Sequence, residues 1–178
     1  MKQYVTYGKI VLLVSIMSIF TLASITSADT AEDITAKPSC HYCGMDRAKF
    51  AHSRMYIKYN DESTAGLCSI HCAAIEMMVA LGKEPVSVMV GDLNSKQLID
   101  AEEAFWVIGG DKMGVMTKRA KWAFASKDAA DSFIKEHGGE HATYETALKA
   151  AFEDMYDDIN MIRKKRKMKR MKMIEHAQ

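Results

Sequence analysis

Two short segments concentrate the reactive side chains of this chain: Cys40-His41-Tyr42-Cys43-Gly44-Met45 and Cys68-Ser69-Ile70-His71-Cys72. Cys-x-x-Cys followed by glycine reads as a tight turn, because Gly44 lets the backbone curl until both sulfurs face one point. The second pair has the four-residue spacing that puts two side chains on one face of a helix, and a helix N-terminus favours thiolate charge. With a hairpin between them, turn, hairpin and helix start form a treble-clef-like layout in which Cys40, Cys43, Cys68 and Cys72 converge on a metal. Four thiolates suit Zn(II), whereas thiolate and thioether sulfur together suit Cu(I). His71, in the first turn of the helix, is the better-placed histidine for a further ligand, and His41 reads as a surface group. Met45 directly follows the first pair. Met113 and Met116 lie in a polar, glycine-rich loop with no core to fill, unlike Met77, Met78 and Met89 on apolar faces.

The location of the protein limits what these thiols can be. Lys2 and Lys9 precede an apolar run, Ile10 to Ile25, which ends in Thr26-Ser27-Ala28. That is the layout of a secretory signal peptide cleaved after Ala28, and the run is short for a membrane span. If uncleaved, it would anchor the protein to the membrane instead. The expected place is therefore extracytoplasmic, or periplasmic, where clustered cysteines are either disulfides or metal ligands. Removing Lys2 and Lys9 leaves 22 basic against 23 acidic residues, a balance that gives no reason to expect nucleic acid as a partner. No nucleophile–base pair, phosphate loop or carboxylate dyad stands out. A redox role for Cys40-x-x-Cys43 is disfavoured because such a pair normally opens a helix, and Gly44-Met45-Asp46 does not read as one. A non-enzymatic metal binder is the expectation.

The elements that must position these residues are legible in the 178-residue chain. Residues 29–39 read as a linker. Met55 to Tyr59 and Thr64 to Leu67 predict a hairpin around the turn residues 60–63. Ser69 is placed to cap a helix from Ile70 to about Leu81, and a strand follows from Pro85 to Val90. The same order recurs: strands at Phe105–Ile108 and Trp122–Ala125, a helix from Lys127 to His137 capped by Ser126, and a short extension at 141–144. The fold class is therefore α+β, two consecutive strand-strand-helix-strand units over about 40–92 and 104–144, then a C-terminal helix over 149–178. Leu148, Phe152, Met155, Ile159 and Ile162 form the apolar stripe expected to dock that helix. Its continuation, residues 163–172, has eight basic residues in ten, a solvated helix end or a contact for a membrane surface or an acidic partner.

Cys43-Gly44-Met45, the segment Ala104 to Gly109 with Gly114-x-Met116, and Phe124-Ala125-Ser126-Lys127 through His137-Gly138-Gly139 resemble the NosL family. The resemblance spans residues 40–148. It implies an extracytoplasmic accessory protein of nitrous-oxide reductase that binds Cu(I), with a fold of two such units related to organomercurial lyase. It further implies that Cys43, Met45 and Met116 occupy the copper-related positions. Cys68 and Cys72 depart from the family pattern, as does the basic, methionine-containing tail. The combined expectation is an exported Cu(I) chaperone or copper-site assembly factor using Cys40, Cys43, Met45, Cys68, His71, Cys72 and Met116. Its partner would be a recipient metalloprotein such as a copper enzyme. The alternative is a structural Zn(II) domain that binds a partner.

Overall fold

The computed structural model describes residues 32–176; the expected signal peptide lies outside them. Strand β1 (Met55–Tyr59) shows why the first sheet forms. Met55, Ile57 and Tyr59 are buried while Tyr56 is half-buried and Lys58 exposed, the period-two alternation of a strand with one face on a core. It pairs antiparallel with β2 (Thr64–Leu67) on one side and β3 (Pro85–Gly91) on the other, and β4 (Leu98–Asp100) completes the order β2-β1-β3-β4. The second sheet has β5 (Phe105–Ile108) between β6 (Lys121–Phe124) and β7 (Glu140–Ala142), all antiparallel. In both units a hairpin, then a helix, then a strand returning to the far side of the first strand makes the repeat. The sheets are therefore built as the sequence repeat predicts, with β4 as an addition.

Helix α2 (Ile70–Val79) sits in the first unit and α3 (Lys127–His137) in the second. The boundaries of α3 match the sequence reading, and Ser126 caps it by accepting from the Ala129 N–H. At α2 the serine behaves differently. Ser69 occupies the N-cap position but makes no side-chain cap hydrogen bond, and the helix ends two residues earlier than its apolar spacing predicts, with the Ala80 N–H bonded to Glu76. The stretch read as a linker contains a short helix, α1 (Glu32–Ala36), tied down because Asp33 is buried between two arginines.

The last helix, α4 (Tyr144–Glu175), packs in a way the apolar stripe does not predict. Its buried residues are Ala147, Ala150, Ala151 and Asp158, whereas Phe152 is exposed and Leu148, Met155, Ile159 and Ile162 only half-buried. Alanines let α4 approach α2 and β5 closely, so the larger side chains flank the contact. The main core, between the first sheet, α2 and α4, includes Cys40, Cys68 and Cys72 among its buried residues. A smaller core under α3 gathers Val107, Trp122, Phe124, Ala130 and Phe133.

Candidate metal centre

The first cysteine pair sits on a closed turn. The Cys40 N–H donates to the Met45 carbonyl at 2.8 Å and the Gly44 N–H to the Cys40 carbonyl at 2.9 Å. Gly44 has φ +72°, and a Cβ there would touch nothing within 4 Å, so glycine is needed for its conformation alone. The turn is fastened to β2 by the His41 N–H donating to the Gly66 carbonyl at 3.1 Å. A Cβ on Gly66 would lie 2.5 Å from the Lys37 Cβ, so glycine here lets the stretch before the turn cross β2 closely.

Beneath the turn lies a buried charge network that sequence reasoning missed. Arg47 and Arg54 have no exposed surface, and both bond the Asp33 carboxylate, at 2.6 Å and 2.9 Å. Arg47 also donates to the carbonyls of Asp33, Lys37, Met55 and Leu67, joining α1, the stretch before the turn and the ends of β1 and β2. An arginine ordinarily reads as surface in a sequence, and nothing in the local spacing marks these two as buried.

The second pair follows directly from β2. Cys68 is held by the Ser53 hydroxyl donating to its carbonyl at 2.8 Å, and Cys72 lies in the first turn of α2. The four sulfurs then converge. Cys43 Sγ lies 3.4 Å from Cys68 Sγ, Cys68 Sγ lies 3.7 Å from Cys72 Sγ, and all four sulfurs fall within 4.8 Å of one another. All are free thiols. A tetrahedral ion with metal–sulfur bonds of about 2.3 Å separates its ligand sulfurs by roughly 3.8 Å, so this cage is near metal-binding size. Cys40, Cys68 and Cys72 are buried, and Cys43 is the half-exposed edge.

The charges of the cage are interdependent. Hydrogen bonds from Cys43 and then from Cys68 and Cys72 push the Cys40 thiol well below its ordinary range. Cys68 and Cys72 are pushed far up, first by their bonds with Cys40. At Cys43 the bond with Cys40 raises the pKa, the bonds with Cys68 and Cys72 lower it, and the net value is about 7. Confining four thiols this closely lets only part of them ionise, and a soft cation in the cage would displace the remaining protons.

The other candidate ligands are placed less centrally. His71 is buried, and its Nδ1 faces Asp158 Oδ2 of α4 at 3.5 Å, so it belongs to the contact between α2 and α4 and is not in the group of converging atoms. Both facing atoms lack a hydrogen-bond partner. Burial lowers the His71 pKa, against the pull of Asp158. Met45 and Met116 are half-buried and pack on the core that holds Cys40, Cys68 and Cys72. Met116 adopts the left-handed φ of +65°. Its loop is clamped to α4: the Lys118 N–H donates to Asp158, Arg119 reaches Asp154 and Glu153, and Lys121 reaches Asp154 at 2.6 Å. Met113 in the same loop is exposed. Glu76, one turn beyond Cys72, is occupied as acceptor for the hydroxyls of Tyr42 at 2.7 Å and Tyr59 at 3.0 Å.

Two antiparallel sheets, a long C-terminal helix and a four-cysteine cage define an α+β protein with a centre able to hold a thiophilic metal ion. The NosL family model matches residues 31–152, most of the chain, and the protein belongs to the NosL family. Its fold is similar to the crystal structure of the copper chaperone NosL from Shewanella denitrificans, with a TM-score of 0.50 and 23% identity, over 60% of this chain and 87% of that one. No curated protein matches.

Proposed function

We propose that this protein is an exported, non-enzymatic Cu(I)-handling accessory protein that carries the ion on its cysteine cage and passes it to a copper enzyme. The observation that carries this reading is the convergence of four free sulfurs within 4.8 Å, in a member of the NosL family. Thiolate sulfur is the donor set that soft Cu(I) prefers. Met45 and Met116, which pack on the core that holds Cys40, Cys68 and Cys72, would offer soft thioether donors to the ion as a thiolate departs. The solved relative is named as a copper chaperone, which supports the choice of ion.

Delivery requires ligand exchange, and the cage offers a place for it. Cys43 alone is half-exposed, so an incoming sulfur of the recipient can add at that side as the Cys43 thiolate departs. Cys40, Cys68 and Cys72 keep the ion held from behind.

One observation favours a second reading. Three of the four sulfurs are fully enclosed, as in closed structural Zn(II) sites, and in that case the domain serves only to bind a partner. Anaerobic purification of the mature chain separates the two, by measuring metal content and Cu(I) affinity. Three proteins are compared: wild type, Met45→Ala with Met116→Ala, and Cys68→Ser with Cys72→Ser. The copper reading expects Cu(I) affinity to fall about tenfold or more in the methionine variant while the fold persists. Zn(II) co-purifying at about one per chain, with only the cysteine variant unfolding, contradicts it.

A further inference from the structure

Helix α4 has 32 residues and extends roughly 48 Å. Its first half is docked, but from Arg163 onward every described residue is exposed. Residues 163–172 carry eight cations, and only Glu175 is acidic in the remaining described turn. Among the described residues, no ion pair reaches any of these eight. Arg163, Arg166, Lys167 and Arg170 stand at i, i+3, i+4 and i+7, line one groove with Lys169 and Met173, and so repel one another on a single face. A helix end of this kind lacks its counter-charge. The same face lies beside the cysteine cage, where Arg166 Nη2 donates to the Cys43 carbonyl at 3.4 Å.

We propose that the face formed by Arg163, Arg166, Lys167 and Arg170 is a docking surface for an acidic polypeptide, which it holds over the Cys43 edge of the cysteine cage. Charge complementarity defines the partner. A membrane surface fits less well: Arg163, Lys164, Lys165 and Arg166 follow one another at 100° steps and ring the axis with charge, whereas a helix lying in a bilayer interface presents a broad apolar face. Placement beside Cys43 makes the docked protein the giver or taker of the ion, a step that rests on the function proposed above. The docking itself does not depend on it.

The test uses the full mature chain, metal-free and reduced, with polyglutamate as probe. Binding is followed by fluorescence anisotropy and exposure of the edge by the rate at which iodoacetamide alkylates Cys43. Two variants with equal charge change are compared: Arg163→Glu, Arg166→Glu and Arg170→Glu on the proposed face, and Lys164→Glu, Lys165→Glu and Lys172→Glu, which do not line that groove. Circular dichroism checks that both remain helical. The expected result is binding that weakens about tenfold on raising salt to physiological strength, with Cys43 alkylation slowed about threefold in the complex. The first variant should lose this protection and the second keep it. Polyglutamate binding without protection, equal loss in both variants, or binding only to vesicles of phosphatidylethanolamine and phosphatidylglycerol overturns the proposal. No metal enters the assay, so each of those results leaves the Cu(I) reading standing, and a failure of Cu(I) binding would leave the docking result standing.

Discussion

Cys43 differs from the other three cysteines in two respects that act together: it is half-exposed, and its pKa is about 7. Reactivity follows thiolate fraction and access. In the metal-free, reduced protein Cys43 should therefore be the first thiol modified by iodoacetamide at neutral pH, visible as a single adduct on its peptide by mass spectrometry. Early modification of Cys68 or Cys72, both buried and pushed up, would show that the cage opens in a way this structure does not describe. Gly44 is the residue on which the turn depends. Its φ of +72° strains any side chain, so Gly44→Ala should destabilise the protein by about 1 kcal/mol in urea denaturation, with no steric contribution because a Cβ there meets nothing. The convergence of the four cysteine sulfurs was legible from residue type and spacing. The supporting residues were not: buried Asp33, Arg47 and Arg54 are types that normally lie on surfaces, and only the folded chain shows them enclosed. His71 was read from its helix position, and that position also carries it towards Asp158 of a helix far along the sequence.

At the scale of elements, α4 connects the two halves of the site. It receives His71 from α2, the helix that carries Cys72, and clamps the Met116 loop through Lys118, Arg119 and Lys121. Asp154 takes two of those cations. Burial raises its pKa, but the bonds from Arg119 and Lys121 outweigh this and hold it below the usual carboxylate range. A carboxylate depressed in the folded state contributes stability above its unfolded pKa and loses it as pH falls through the folded value. Between about pH 5 and about pH 3 the wild type should therefore lose more stability than Asp154→Asn, as judged by urea midpoints. An equal acid loss in both would mean that the clamp is not ionic. The sequence predicted β1, β2 and α3 closely because their signals are local: alternation, turn residues and a capping serine. It placed the docked stripe of α4 off centre: Leu148 and Met155 pack on the core from the side, while Ala147, Ala150 and Ala151 make the close approach at its centre. It also missed α1, whose five residues are fixed by tertiary ion pairs rather than by helical spacing.

In the whole molecule, the cage lies within the main core, one edge of it reaches the surface, and the basic end of α4, without an ion pair among the described residues, passes beside that edge. This arrangement suits a protein that holds an ion firmly and releases it only where a partner meets the exposed cysteine. The docked part of α4 ends near Ile162, so reversing charges beyond it should alter association and leave thermal stability nearly unchanged. The family and the doubled architecture could be read from the sequence, whereas the position of the basic tail over Cys43 required the fold. The most direct test of the central claim is X-ray absorption at the copper edge on the purified protein loaded anaerobically with Cu(I). A first coordination shell made of sulfur alone, converted to fewer sulfurs by Cys68→Ser with Cys72→Ser, is the predicted result. A first shell of nitrogen and oxygen, or one unchanged by that double substitution, would contradict the assignment of the cage as the Cu(I) site.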